Sequence, residues 1–278
     1  MFSDFFAFFK QLFSSKKTQP TPFPAEWRTV LSNKVEFYKA LSSEDKTLFE
    51  QRINLFLDTT EIVGNGVDVT YEDCVLVAAS AIIPVWKFPK WHYFNLQTVI
   101  LLPSSFNTDI MTVQPDSNIQ GMVGTGMMHG KMLLSRNALH YGFSNNKDKR
   151  NVGIHEFAHL IDMADGDCDG FPERLKQFSF SIPWLNFVRE KIIEIENKES
   201  NINPYAATNN AEFFSVATEY FFERPKLLQR KHPNLYKSLS DFYQQDLASI
   251  AEVVTPRKKD PCPCGSGKRY KRCCMPAD

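Results

Sequence analysis

His155-Glu156-Phe157-Ala158-His159 constrains this chain more than any other stretch. Two imidazoles four positions apart face a single metal ion when the segment is an α-helix, and the carboxylate between them then stands beside that ion. The neighbours agree with a helix. Val152, Ile154, Phe157, Ala158, Leu160 and Ile161 are apolar, and neither Pro nor Gly interrupts Ile154 to Ala164. Asn145 to Asp148 offer polar candidates for the N-terminal cap, and Asp165-Gly166-Asp167 stops the run. So apolar a helix is buried, and a buried metal-binding histidine needs an acceptor for its second ring nitrogen. Asp162, three residues past His159, is a candidate for that task or an ordinary polar residue of the last turn.

A catalytic zinc keeps three protein ligands and one open position, so a third ligand must come from elsewhere. Glu212 and Glu219 are the candidates. They lie two turns apart on one face of a predicted helix that Asn209 or Asn210 caps and that ends before Pro225. Spacing does not choose between them.

These segments together carry a resemblance. Ile154 to Asp162, Tyr205-Ala206-Ala207-Thr208, Ala211 to Phe222, Phe242-Tyr243-Gln244-Gln245-Asp246 and Phe37 to Leu41 are similar to the Mlc titration factor A family of zinc peptidases, over roughly residues 25 to 250. The resemblance implies that Glu212 is the third ligand and that Glu219 is an outer partner or a structural residue. It also implies a gluzincin fold related to the catalytic domain of anthrax lethal factor, in which a tyrosine ahead of the third ligand stabilises the transition state. Tyr205 matches that position; a core or capping role is the other reading. The family pattern often carries a further histidine in the Gly-rich segment before the last strand. This chain departs from it, with Gly124 at that place and His129 a few residues on.

The C-terminus holds a second metal signature, Pro261-Cys262-Pro263-Cys264-Gly265-Ser266-Gly267-Lys268-Arg269-Tyr270-Lys271-Arg272-Cys273-Cys274. It resembles the SEC-C motif, the zinc-binding tail of the translocase motor SecA. Cys262, Cys264, Cys273 and Cys274 can close a tetrahedral shell with no open position, which makes that zinc structural. So short a segment has no core of its own, and zinc binding worth roughly 10–16 kcal/mol would supply its folding. Arg257, Lys258, Lys259, Lys268, Arg269, Lys271 and Arg272 against Asp260 and Asp278 make the tail basic. The whole chain sums to zero charge, so the body before it is acidic. A basic knuckle fits an acidic protein surface or nucleic acid, and the resemblance implies SecB or the ribosome.

The 278 residues suffice for one sizeable domain with small extensions. The expected division is 1–24, an amphipathic segment and linker; 25–254, the metallopeptidase domain; and 255–278, the knuckle. The expected fold class is α+β: a mainly helical zincin-type domain with a small sheet, plus the knuckle. Outside the knuckle only Cys74 and Cys168 remain, which speaks for a reducing compartment and a cytoplasmic location. Cys168 is assigned no role. Phe2, Phe5, Phe6, Phe9, Leu12 and Phe13 recur at helical spacing without a basic leading region or cleavage site, so an amphipathic helix is expected rather than a secretory signal. It is too short to span a bilayer.

Trp27 to Asp58 shows helical periodicity, with a helix start at Ser42-Ser43-Glu44-Asp45. Tyr71 to Val85 reads as a buried helix, and Thr98 to Leu102 and Met132 to Ser135 as strands joined through Gly121, Gly124, Gly126 and Gly130. Met132 to Ser135 is expected to be the edge strand that holds a substrate backbone by strand addition. Gly265-Ser266-Gly267-Lys268 belongs to the knuckle, so no nucleotide-binding loop is implied.

Three functions follow. The first is a zinc peptidase, with His155, His159 and Glu212 on a catalytic zinc, Glu156 as general base and Tyr205 as oxyanion donor. The second, which the resemblance implies, is a regulatory protein that sequesters a transcriptional repressor such as Mlc. The third, compatible with either, is attachment to nascent or secretory chains through the tail.

Overall fold

The computed structural model describes residues 22–106, 119–124, 128–144, 148–173, 181–249 and 267–273. The architecture is mainly helical α+β with one four-stranded sheet. The Phe-rich segment and most of the linker after it lie outside the described residues. Among the described residues three helices come first: α1 (Ala25–Lys34), α2 (Glu36–Lys39) and α3 (Ser43–Thr59). The start of α3 falls where the sequence places it, with the Ser42 hydroxyl accepting the Asp45 amide. The buried helix expected from Tyr71 is α4 (Tyr71–Ile82), opened by a reciprocal cap between Thr70 and Asp73.

The sheet contains β1 (Glu61–Gly64), β2 (Leu96–Leu102), β3 (Gly121–Val123) and β4 (Gly130–Ser135) in the order β1-β2-β4-β3. β1, β2 and β4 are parallel, and β3 runs antiparallel to β4. This corrects one expectation. Met132 to Ser135 is an interior strand, paired on one side with β2 and on the other with β3. The edge strands among the described residues are β1 and, next to β4, Gly121–Val123, which lies inside the stretch that its glycines mark as a connection. A three-residue strand is too short to show alternation.

On the sheet, Val99, Leu101, Met132 and Leu134 pack with α3, α4 and the residues Ile154, Phe157 and Leu160. These last belong to the metal-motif helix α6 (Val152–Asp162), which follows α5 (Arg136–Ser144). Ala158 and Ile161, on the same helix, pack into a second cluster. That cluster is built on α7 (Ser181–Glu196), α8 (Asn210–Glu223), α9 (Pro225–Lys231) and α10 (Pro233–Tyr243). α6 is therefore a wall shared by both clusters. Its approach to α4 is close: a Cβ on Gly153 would lie 2.1 Å from Ser80 Oγ. Its cap is Asn151, whose side chain accepts the Ile154 amide at 3.1 Å, and not the Asn145 to Asp148 stretch. Among the described residues no helix is long and apolar enough to cross a membrane.

Candidate metal centre

Two helices build the centre. α6 carries His155, Glu156 and His159, all buried, and α8 carries Glu212 in its first turn, where Asn209 Oδ1 accepts the Glu212 amide at 2.9 Å. The contacts make the helices antiparallel: Asn151, at the start of α6, meets Glu219 and Glu223 near the end of α8, while His159 meets Glu212 near its start. His155, His159 and Glu212 bring one ligand atom each within 4.8 Å of the others. The Nε2 atoms are 3.2 Å apart, and Glu212 Oε2 lies 3.1 Å from His155 Nε2 and 3.5 Å from His159 Nε2. In a tetrahedral zinc shell with bonds of about 2.0–2.1 Å, donor atoms stand about 3.3 Å from one another. Two imidazoles and a carboxylate at these separations fit zinc in both number and spacing.

The second ring nitrogens have partners that the sequence places only in part. His155 Nδ1 lies 2.7 Å from Glu219 Oε1, and Glu219 Oε2 accepts the Asn151 amide, also at 2.7 Å. With the proton on Nδ1 donated to Glu219, the lone pair on Nε2 is left for a metal. Glu219 thus meets the outer nitrogen of His155, and Glu212 the inner one. Asn151 Nδ2 donates to Glu223 at 3.1 Å, and burial raises the Glu223 carboxyl to about 8. Asn151 and Glu223 went unnoticed in the sequence; the position of Asn151 directly before Val152 is a signal that could have found it. Cys168 also enters, its Sγ 3.8 Å from His159 Nδ1. Burial, with Asp162 nearby, pushes that thiol up to about 12.

Asp162 is not bonded to His159. Its Oδ2 accepts the Gly170 amide at 2.8 Å. Gly170 in turn packs so closely on Asn210 that a Cβ would lie 2.2 Å from the Asn210 carbonyl oxygen, and its own carbonyl accepts from Trp184. Asp162 therefore fixes the loop after α6 against the start of α8, where Glu212 sits. Its buried Oδ1 has no hydrogen-bond partner among the described residues, and burial raises its carboxyl to about 6.

Between these groups the electrostatics are steep. Burial works against a charged His155, yet Glu219 and Glu212 hold its pKa well above the ordinary imidazole value. Burial also opposes the Glu212 carboxylate, but hydrogen bonds with His155 and His159 lower its pKa. Glu156 is raised by burial, an effect the two histidines reduce. Such a site favours a compact positive charge among its carboxylates. Tyr205 stands on a short 3-10 turn, Pro204–Ala207, with its ring 6.0 Å from that of His155. It is 53% exposed, which sets aside a core role. Burial and the neighbouring Glu212 raise its hydroxyl to about 12.

Residues 9–244 match the glucose-regulated metallo-peptidase M90 family. The chain belongs to the M90 metallopeptidases. An uncharacterized protein of Synechocystis is 31% identical over 84% of this chain and 86% of its own length. Mlc titration factor A of Cronobacter sakazakii is 26% identical over 85% of this chain and 92% of its own. The Klebsiella pneumoniae protein of the same name is 27% identical over 74% and 81%. This M90 metallopeptidase also matches the SEC-C motif over residues 259–276. Of the four knuckle thiols, Cys273 is described, exposed just past the short turn Tyr270–Arg272; Cys262, Cys264 and Cys274 lie outside the described residues. Gly124 pairs with His129 in an isolated bridge, and neither belongs to the ligand set.

Proposed function

We propose that this M90 metallopeptidase hydrolyses peptide bonds with one catalytic zinc at His155, His159 and Glu212, and carries a second, structural zinc at Cys262, Cys264, Cys273 and Cys274. The observation that carries the reading is the triangle of two imidazole Nε2 atoms and one carboxylate oxygen at tetrahedral spacing. A zinc ion held there supplies Lewis acidity, bringing the pKa of a bound water towards about 7. Glu156 is placed to take the proton of the attacking water on its carboxylate and to pass it to the leaving amine. The half-exposed hydroxyl of Tyr205 is placed to donate to the oxygen on which charge develops. Among the described residues β3 is an edge strand of the sheet, beside Glu156, where an extended peptide can add as a further strand.

Glu156→Gln tests the assignment, because glutamine keeps the shape of the side chain and removes the base. Turnover of a peptide library should fall by about 10²-fold or more with zinc content unchanged. Undiminished cleavage by the variant would reject Glu156 as the base. The same library, read for cleavage positions with the wild-type protein, separates aminopeptidase from endopeptidase action.

A regulatory role is the second reading. It is favoured by the name Mlc titration factor A that several relatives carry, and it implies a repressor as partner. Pure sequestration has no need of the buried base Glu156 beside a full ligand set, so catalysis is the primary reading. The SEC-C tail supports a contact with SecB or the ribosome, and the thiol usage of the chain supports a cytoplasmic location.

A further inference from the structure

Gly121 is where the edge strand β3 meets Glu156. A Cβ at this position would lie 2.4 Å from Glu156 Oε1, 2.6 Å from Cδ and 2.6 Å from Cγ. The strand has little room to withdraw, since Gly121 is in register with Leu134 of β4 and the Ser135 amide donates to the Gln120 carbonyl at 2.7 Å. The helix has as little, because Gly153 is already pressed against Ser80. The Glu156 side chain is left to yield. Its Cγ lies within the overlap, so relief requires a change at χ1, where a helix offers few choices. No described residue donates a hydrogen bond to its carboxylate, and β3 packs directly against it.

We propose that Gly121 is a positioning residue for the base: the missing side chain lets the Glu156 carboxylate lie against β3 and face His155, His159 and Glu212. The proposal rests on the peptidase reading and adds that position 121 accepts only glycine in an active enzyme. The expected damage is to geometry more than to stability, because the group that moves is a side chain and not a strand.

Gly121→Ala, prepared as the full chain with zinc, is the test. Zinc content should match wild type, kcat should fall by about 10²-fold, and KM should stay within about threefold. In a Glu156→Ala background, where no carboxylate remains to be displaced, adding Gly121→Ala should lower the residual turnover less than about twofold. A crystal structure of Gly121→Ala should show Glu156 in a different rotamer with β3 still paired to β4. The proposal is overturned if kcat is unchanged, if both backgrounds lose equally, or if the strand moves and the carboxylate stays. If the wild type shows no turnover dependent on Glu156 while the variant structure shows the displaced side chain, the peptidase reading fails and the contact stands.

Discussion

Glu212 and Glu219 look alike in sequence and differ in what they touch. Glu212 meets the inner nitrogens of both histidines, whereas Glu219 meets the outer nitrogen of His155 and the Asn151 amide. Removing each should therefore do different things. Glu219→Ala should weaken zinc by about 10–100-fold with the stoichiometry at this site kept, as expected for an orienting partner. Glu212→Ala removes one of three ligands and should weaken it further, measured by competition with a chromophoric chelator. A larger loss from Glu219→Ala than from Glu212→Ala would reverse the ligand assignment. Tyr205 is equally open to trial. Its exposure means that Tyr205→Phe should leave the melting temperature and the zinc content in place. Turnover should fall by about 10²-fold if the hydroxyl serves the transition state. Wild-type turnover in that variant would remove Tyr205 from the mechanism.

At the scale of elements, the buried Asp73 carboxylate joins α4 to α5. Asp73 caps α4 with Thr70 and also bonds Arg136 Nε at 2.8 Å and His140 Nε2 at 2.6 Å, both on α5. Burial opposes its charge, but Arg136, His140 and Thr70 hold its pKa down at about 2, against an ordinary 3.8. A depressed carboxyl stabilises the fold fully above its unfolded value and ceases to do so as pH falls through the folded one. The contribution, about 2 kcal/mol at neutral pH, should be complete above pH 4 and lost towards pH 2. Urea unfolding of Asp73→Asn should lack this acid limb and show reduced stability at pH 7. Equal slopes for variant and wild type would refute it. The elements also show what a sequence makes visible. Metal chemistry imposes the spacing of His155 and His159, so their helix is plain, and Ser42 announces a helix start because a side chain must cap there. β3 left no such mark: three residues beginning with glycine carry no alternation, and its place at the edge depends on β4 pairing on both sides. Asn151 stands directly before Val152, where a cap is legible, but its bonds to Glu219 and Glu223 become evident only once α8 lies across α6. The choice of Glu212 over Glu219 required the family resemblance.

Across the whole molecule, the two metal assignments differ in where their ligands come from. The knuckle draws all four thiols from one short segment, so a chain ending at Thr255 should lose one of two zinc ions by metal analysis and keep its peptidase activity. An unchanged zinc count after that truncation would dismiss the knuckle site. The catalytic set is instead divided, with the histidines on α6 and the carboxylate on α8, and α6 is packed on both sides. Amides in a helix enclosed by two hydrophobic clusters exchange with solvent only through large-scale opening. The ligand triangle therefore exists only while both clusters are packed against α6. On the proposed assignment, a partly folded or newly emerging chain lacks the complete ligand set and with it any hydrolytic centre.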